Sequence, residues 1–370
     1  MPRGEPSRSG ADDERYMSRA LELAAGAAFT SPNPKVGCVL VRDHYVIGEG
    51  RHEFAGAAHA EAVALAAAGG AAGATAYVNL EPCVHRGLTP PCTPALIEGG
   101  VARVVVAHED PDPRVGGRGI SGLRAAGVEV SVGILAEEAS ALNRPYLHHR
   151  MTGRPLLRLK LATSLDGRLA AADGSARWIT GPGARRVVHQ HRARADAVLV
   201  GAGTVLADDP SLTARDGAGG RQPATVVVDS RGRVHPTARL FANERVILAT
   251  TSASHHDVHI AWKEAGAEVV VLPETPRGVD LSALLDHLGA RDWLEVLCEG
   301  GAELATSLLH DGLVNVMEIH HGAVLLGAGG PEVGPLGVAT MAEASCWTLA
   351  GVRREGDDLV TTYLPVTPRP

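Results

Sequence analysis

Residues 58–92 read AHAEAVALAAAGGAAGATAYVNLEPCVHRGLTPPC, and this stretch decides the fold of the first half of the chain. The run Ala58–Ala68 consists of good helix formers and stops at Gly69-Gly70, which predicts a helix. Thr75–Leu80 predicts a strand, and Thr93–Glu98, closed by Gly99-Gly100, predicts a second helix. The chemically useful residues sit at the ends of these elements. His59 and Glu61 open the first helix, Cys83 follows the strand, and Cys92 opens the second helix. One imidazole and two thiolates suit tetrahedral Zn²⁺ and leave a fourth position for water, whose pKa the metal brings close to neutral. Glu61, two residues from His59, is then free to shuttle protons. The competing reading is a closed structural zinc knot with His52 or His85 as fourth ligand. It leaves Glu61 idle, and Cys83 and Cys92 belong to different elements.

Working outward, residues 15–27 place Met17, Ala20, Leu21 and Ala24 on one helical face, continued by Ala28. Val36–Val41 and Ala102–Ala107 read as strands, and Leu123–Ala126 and Val128–Val132 as a further helix and strand. Strands separated by helices define an α/β domain with a parallel component. Residues 1–14 read as a disordered tail. The polar stretch Asn143–Arg154 marks a boundary, giving domains at 15–149 and 150–370. The second domain repeats the α/β pattern. Its strands are Leu156–Leu161, Ala197–Gly201, Ala224–Val228, Arg245–Ala249, Glu268–Leu272, Trp293–Cys298, Val314–His320 and Asp358–Tyr363. Its helices are Pro182–Ala195, Leu281–Leu288 and Leu304–His310. Ala214–Gln222, with three glycines, reads as a mobile loop.

Composition excludes several classes. The 370 residues carry 35 Lys+Arg against 42 Asp+Glu, a net charge of −7, which lacks the basic footprint of a general nucleic-acid binder. Only 3% are aromatic, too few for base-stacking platforms. No run approaches the roughly 18 apolar residues of a membrane helix, and the first fourteen residues lack the apolar core of a signal peptide. Five cysteines do not form a secreted disulfide framework, so a reducing cytoplasm is the expected location. Cys38, Cys298 and Cys346 read as small buried apolar residues. His148-His149 reads as exposed linker, and His320-His321 has no evident ligand partner.

The H-x-E pair followed by P-C and a displaced second Cys is the signature of zinc nucleobase deaminases, in which hydroxide attacks an amino-bearing ring carbon and ammonia leaves. The wider context is more specific. Pro32-Asn33-Pro34-Lys35-Val36-Gly37, His52-Glu53-Phe54-Ala55-Gly56, Leu80-Glu81-Pro82-Cys83, Thr89-Pro90-Pro91-Cys92, Asp110-Pro111 and Gly117-Arg118-Gly119 resemble the bifunctional riboflavin-biosynthesis deaminase/reductases. In the second half, Leu159-Lys160-Leu161, Ser164-Leu165-Asp166-Gly167, Trp178-Ile179-Thr180 and Thr204–Pro210 follow the reductase part of that family. The resemblance runs from about Tyr16 to the C-terminus. It implies a cytidine-deaminase-like three-layer domain followed by a dihydrofolate-reductase-like domain. It also implies two consecutive reactions on a phosphorylated pyrimidine: zinc-dependent deamination of 2,5-diamino-6-ribosylamino-4(3H)-pyrimidinone 5′-phosphate, then NADPH reduction of the ribosyl chain to ribityl. His59, Cys83 and Cys92 are the implied zinc ligands, Glu61 the proton shuttle, and Asn33, His52 and His85 the deaminase substrate contacts.

The reductase half carries two strand–glycine–helix turns, Gly201-Ala202-Gly203-Thr204 and Gly300-Gly301, of the kind that lets phosphates approach backbone N–H groups. The resemblance places NADPH at Ala162, Trp178, Thr204, Asp208, Ser230, Gly300, Gly301, Ala302, Glu303 and Leu304. It places the reductase substrate at Lys160, Arg192, Leu212, Arg215 and Glu299. Arg192 and Arg215 suit a 5′-phosphate because guanidinium binds phosphate as a fork, while Arg185, Arg186 and Arg194 read as a solvated helix face. Lys160 and Asp208 are both candidates to assist protonation.

The chain also departs from the family. Val84 stands where the family has Ser, Leu88 where it has a basic residue, and Ala176 where it has Ser. Asp112-Pro113 replaces Asn-Pro, and Gly322-Ala323 replaces Ala-Pro. Arg86 is the expected substitute for the charge missing at Leu88. Two alternatives follow: a divergent paralogue acting on a related pyrimidine or keeping only the reductase step, and a zinc-stabilised binding protein. The expected partners are small molecules and further copies of the chain as a homo-oligomer, with no nucleic acid and no membrane.

Overall fold

Apolar alternation and alanine-rich helices build two compact α/β units, Met1–Gly153 and Arg154–Pro370. The computed structural model describes residues 10–87, 89–215 and 220–366. In the first unit the order is α1 (Gly10–Ala25), β1 (Gly37–Arg42), β2 (Tyr45–Arg51), α2 (Ala60–Ala68), β3 (Thr75–Val78), α3 (Cys92–Glu98), β4 (Arg103–Val106), α4 (Arg118–Ala125), β5 (Glu129–Val132), α5 (Ala136–Leu142) and α6 (Arg144–Thr152). The sheet order is β2-β1-β3-β4-β5, with β1 antiparallel to both its neighbours and β3, β4 and β5 parallel. Alternate residues of each strand face opposite layers. Cys38, Leu40 and Val78 pack with Ala60, Ala64 and Leu96, whereas Val39, Val41 and Tyr77 pack with Met17 and Ala20. The unit is therefore a three-layer sandwich.

Two expectations for this unit are corrected. Helix α1 starts at Gly10, so residues 10–14 are helical rather than tail; residues 1–9 lie outside the described residues. The cause is long-range, because Asp13 is buried and holds Tyr77 Oη and the Arg103 guanidinium, each at 2.8 Å. The stretch read as linker is helix α6, entered through Pro145 near its start and ended by Gly153 at φ 74°. His149 is buried in it rather than exposed. The boundary accordingly falls after Gly153, four residues beyond the expected 149.

The second unit runs β6 (Leu156–Thr163), α7 (Pro182–Arg194), β7 (Ala197–Gly201), α8 (Ala202–Asp208), β8 (Ala224–Val228), β9 (Val246–Thr250), α9 (His256–Glu264), β10 (Glu268–Val271), β11 (Glu274–Thr275), β12 (Gly278–Val279), α10 (Leu281–Gly289), β13 (Glu295–Cys298), α11 (Ala302–His310), β14 (Val316–His321), β15 (Trp347–Glu355) and β16 (Asp358–Pro365). Nine strands form one sheet in the order β10-β9-β8-β7-β13-β6-β14-β16-β15. It is parallel from β10 to β14 and antiparallel across β16 and β15. Leu157, Leu159 and Leu161 of β6 join the buried cluster that includes Leu284 and Leu308, so Arg158 and Lys160 point to the opposite face. Gly217 and Gly219 of the expected mobile loop lie outside the described residues. At its edges, Ala214 and Gln222 exchange two hydrogen bonds, at 2.8 and 3.0 Å.

Candidate active sites

Helix α2 carries Glu61 into the first site, and two glycines set how closely it packs. A Cβ at Gly50 would stand 2.2 Å from Ala60 O, and one at Gly48 2.3 Å from Ala64 O. The helix backbone therefore rests directly on β2, with no side chain between. His59 precedes the helix with extended backbone (φ −72°, ψ 156°). Its Nδ1 lies 3.2 Å from Cys92 Sγ and 3.5 Å from Cys83 Sγ, and one ligand atom from each of the three residues falls within 4.8 Å of the others. Thr89 Oγ1 meets His59 Nε2 at 2.9 Å. That contact fixes the far edge of the ring and leaves Nδ1 for the sulfurs. The Cys92 backbone N–H donates to Cys83 Sγ at 3.4 Å.

The two thiols act on each other. Cys92 donates to Cys83, which pulls the Cys83 thiol down to about 4 while Cys92 is pushed well above its ordinary range. Zinc would be held by both thiolates, and binding it would release their protons. The donor set thus fits Zn²⁺ with one open coordination position. The closed-knot reading fails on geometry. Among the described residues no fourth His, Cys or carboxylate joins the cluster. Both nitrogens of His52 are engaged, with Nδ1 at 3.1 Å from Ala58 O and Nε2 accepting from Asn33 Nδ2 at 3.0 Å. Burial lowers the His52 pKa, consistent with a neutral ring. Among the described residues His85 Nδ1 is buried without a hydrogen bond, outside the metal cluster, on the wall of the cleft.

Glu61 is 3% exposed, and burial raises its pKa, with the Cys83 thiolate adding to the shift. Such a carboxyl holds a proton at higher pH than a surface glutamate, which suits acid–base work. The cleft holds about 160 Å³ and is lined by Asn33, His52, His59, Glu61, Cys83 and His85, so every deaminase residue named from the sequence except the buried ligand Cys92 is on its wall.

Several lining residues were missed. Asp110 accepts from Tyr146 Oη at 3.0 Å and from the Asp112 N–H at 2.9 Å, yet burial pushes its carboxyl up to about 6. Glu81, 4% exposed, accepts the backbone N–H groups of Asp110, Gly117 and Ile120 at 3.2, 3.0 and 3.0 Å, which fixes the Asp110 loop. The P-C motif marks the neighbourhood of Glu81, but its donors come from 29 to 39 residues away and left no local signal. Arg114 and Arg150 also reach the cleft, whereas Arg86 is exposed and does not line it. Arg114 is tied to Asp112 at 2.6 Å. Leu88 lies outside the described residues.

The second unit holds a larger cleft of about 650 Å³. Helices α8 and α11 both begin at it, behind Gly201 and Gly301, and neither has a side-chain cap. The Gly301 N–H donates to Thr204 Oγ1 at 3.1 Å and stitches the two turns together. Thr204, Asp208, Ser230, Gly301, Ala302, Glu303 and Leu304 line this cleft together with Arg231, Arg233 and Arg277. Uncapped helix starts beside arginines fit the phosphates of a dinucleotide. The β11–β12 hairpin, absent from the expected elements, forms one wall: Val279 N–H donates to Ser230 Oγ at 3.0 Å, and a Cβ at Gly278 would stand 2.3 Å from that oxygen.

Ala162, Trp178 and Gly300 do not line the cleft. Trp178 is 67% exposed, with the Arg185 guanidinium 4.3 Å above its ring, so Arg185 is not idle. Lys160, Arg192 and Glu299 do converge. Arg192 forks onto Glu299 at 2.6 and 2.9 Å, while Lys160 lies one strand away. Leu212 is buried and Arg215 is exposed, both in the segment after α8. Cys38 and Cys298 are buried as expected, but Cys346 is exposed, because the segment before β15 lies on the surface.

Fold and sites together define a zinc-dependent deaminase joined to a reductase. Comparison with known proteins narrows this. The cytidine and deoxycytidylate deaminase zinc-binding region matches residues 11–108, and the RibD C-terminal domain matches residues 155–361. The chain is 42% identical over 363 residues to riboflavin biosynthesis protein RibD of Escherichia coli, covering 94% of this chain and 98% of that protein. The structure of Acinetobacter baumannii RibD superposes with a TM-score of 0.87 at 39% identity, over 97% of this chain and all of that one. A Thermotoga maritima diaminohydroxyphosphoribosylaminopyrimidine deaminase/5-amino-6-(5-phosphoribosylamino)uracil reductase gives a TM-score of 0.85 at 34% identity, over 96% of this chain and 99% of its own. The chain belongs to the RibD family of bifunctional riboflavin-biosynthesis enzymes, with a deaminase domain followed by a reductase domain.

Proposed function

We propose that the first unit deaminates 2,5-diamino-6-ribosylamino-4(3H)-pyrimidinone 5′-phosphate and that the second reduces the ribosyl chain of the product to ribityl with NADPH. The observation that carries this reading is the open three-ligand set His59, Cys83 and Cys92 with buried Glu61 beside it. Zinc held there supplies a water acidified to near-neutral pKa. Glu61 takes a proton from the attacking water and gives it to the departing amino group. His52, neutral and oriented by Asn33, and His85, with its free buried nitrogen, hold the pyrimidine edge. Leu88 contributes no charge to the phosphate, and Arg86 lies outside the cleft wall.

In the second unit, Thr204, Ser230 and the Gly301–Leu304 turn hold the cofactor, with Arg231 beside Ser230 for a 2′-phosphate. Asp208 stands at the same wall. Ala162, Trp178 and Gly300 belong to this set by resemblance alone. Lys160, Arg192, Leu212, Arg215 and Glu299 face the sugar phosphate. A homo-oligomer located in the cytoplasm accompanies this reading, and no helix among the described residues is long and apolar enough to cross a membrane.

Glu61→Gln tests the reading. Zinc content is expected to stay at the wild-type level while ammonia release falls by roughly 10²–10⁴-fold, the usual range for losing a general acid–base. Reduction of the pre-deaminated substrate should persist. Deamination at the wild-type rate would refute the role of Glu61. Absence of deamination in the wild-type protein, with reduction intact, would favour the reductase-only alternative.

A further inference from the structure

Glu318 on β14 is 2% exposed and His320, two residues on, is fully buried. One carboxylate oxygen of Glu318 takes both His320 Nε2 at 2.6 Å and His191 Nε2 of helix α7 at 3.0 Å. With Nε2–H donating in both rings, the nitrogen left on the His320 ring is an acceptor, and it is buried without a partner among the described residues. Burying a carboxylate and two imidazoles beneath a helix is costly unless their charge serves a partner.

The strand register names that partner. Glu318 pairs with Lys160 across the parallel β6–β14 ladder, so the two side chains share one face of the sheet. The Lys160 ammonium makes no hydrogen bond or ion pair among the described residues. The charged groups around it sort into pairs. Arg158 is committed to Glu295 at 2.7 Å and lies 3.9 Å from Glu318, and Arg192 is committed to Glu299. Glu299 and Glu318 are the two carboxylates that act on Lys160, Glu299 the more strongly, and Glu318 faces it from the paired strand while its second oxygen stands 3.9 Å from Arg158. Burial lowers the Lys160 pKa, Glu299 and Glu318 raise it, and Arg192 lowers it. His189 and His191 face this layer from α7, and His320 from β14.

The identity of residue 160 matters too. Only three of the 35 basic residues are lysine, Lys35, Lys160 and Lys263. Arginine cannot release a proton in a protein, whereas a buried lysine can. Opening a ribosyl ring by reduction needs a hydride at C1′ and a proton at O4′. The C1′–O4′ bond breaks with its electron pair going to O4′, the nicotinamide is oxidised, and the donor recovers its proton from water.

We propose that Glu318, clamped by His191 and His320, is a positioning residue that keeps Lys160 protonated and aimed at the sugar ring, so that Lys160 delivers the proton to O4′. This rests on the reading that Lys160 faces the reductase substrate. His320 links the device to β14, and His191 links it to the helix that also carries Arg192.

The test reads Lys160 directly. In full-length protein carrying ¹³Cε-lysine, the three lysines titrate as separate resonances, and Lys160→Arg identifies the one of interest. Glu318→Gln is expected to lower the Lys160 pKa by at least about one unit. In the reductase assay with pre-deaminated substrate, the loss of kcat at high pH should move to lower pH by the same shift, with KM for NADPH unchanged. Glu318→Asp, which keeps the charge, should restore most of both. His320→Gln is the second variant should Glu318→Gln fail to fold, and it should move both readouts in the same direction by a smaller amount. An unchanged Lys160 titration in the folded variants overturns the proposal. The resonance is observed without substrate, so that outcome is independent of the functional reading. A wild-type protein unable to reduce the pre-deaminated substrate would instead overturn that reading.

Discussion

Replacing Glu81 should damage the deaminase unit more than any neighbouring surface change, and by an amount that follows from its contacts. Its carboxylate accepts three backbone N–H groups, from Asp110, Gly117 and Ile120, and those of Asp110 and Ile120 are buried. Leaving a buried donor unsatisfied costs about 1–3 kcal/mol. Two such donors and a third that reaches solvent put Glu81→Ala at about 4 kcal/mol, close to a thousandfold in the folded-to-unfolded ratio. Glu81→Gln keeps one acceptor oxygen and turns an NH₂ toward one of the three donors, so about 2 kcal/mol is expected. The assay is urea unfolding followed by zinc release, with amide exchange at Ile120 as the local probe. Reduction of the pre-deaminated substrate should persist, because the groups that Glu81 holds all lie in the first unit. A loss under about 1 kcal/mol in Glu81→Ala, or an Ile120 amide that stays protected, would refute the reasoning.

Two further outcomes can be stated. Asp110 has a folded pKa raised from 3.8 to about 6 by burial, so its protonated form is the one the fold favours. Its contribution to stability is complete below about 3.8 and is lost as pH rises through about 6, a change of roughly 3 kcal/mol. Subtracting the urea midpoints of Asp110→Asn from wild type between pH 4 and 7.5 isolates this slope, and a flat difference would rule it out. Gly322→Ala would place a Cβ 1.8 Å from Ile179 O, a backbone atom that cannot turn aside. Overpacking of this kind costs about 1–3 kcal/mol. The melting transition of the second unit should fall by several degrees, and an unchanged transition would show that Gly322 is not required by that contact.

The residues readable in advance were those whose role is local in sequence or carried by motif. His59, Glu61, Cys83 and Cys92 stand at element ends, and the alanine run between them is unambiguous. Strand β2 was missed because its inward positions include Gly48 and Gly50, which remove the apolar alternation that signals a strand. Those glycines are required by the approach of α2, a tertiary fact. Residues 10–14 and helix α6 were misread for a similar reason. The polar side chains of Asp13 and of Asn143, the residue just before α6, satisfy distant partners: Arg103 and Tyr77 in the first case, the Lys35 backbone in the second. Polarity there records a buried hydrogen bond rather than exposure. Glu81, Asp110 and Tyr146 escaped for the same reason, and so did the partner of His320. Its hydrogen bond to Glu318 lies within one strand, but the value of that bond depends on Lys160 more than 150 residues earlier. In the reductase half, the glycine turns and Thr204 were legible as elements that meet at one place, and they line one cleft, while the β11–β12 wall was not, since two-residue strands have no periodicity to read.

The place of β6 in its sheet has a consequence for biosynthesis. It is the first strand of the second unit to leave the ribosome, yet its two neighbours are β13 and β14, the latter ending at His321, 158 residues after Thr163. At roughly 5–20 residues per second, β6 waits about 8–30 s for both edges to be covered. The five-stranded sheet of the first unit, by contrast, is complete by Val132. A nascent chain stalled between residues 163 and 295 would therefore carry a folded, zinc-competent N-terminal half tethered to an unpaired apolar strand. That strand, with Leu157, Leu159 and Leu161 on one face, is the segment a ribosome-associated chaperone would need to shield.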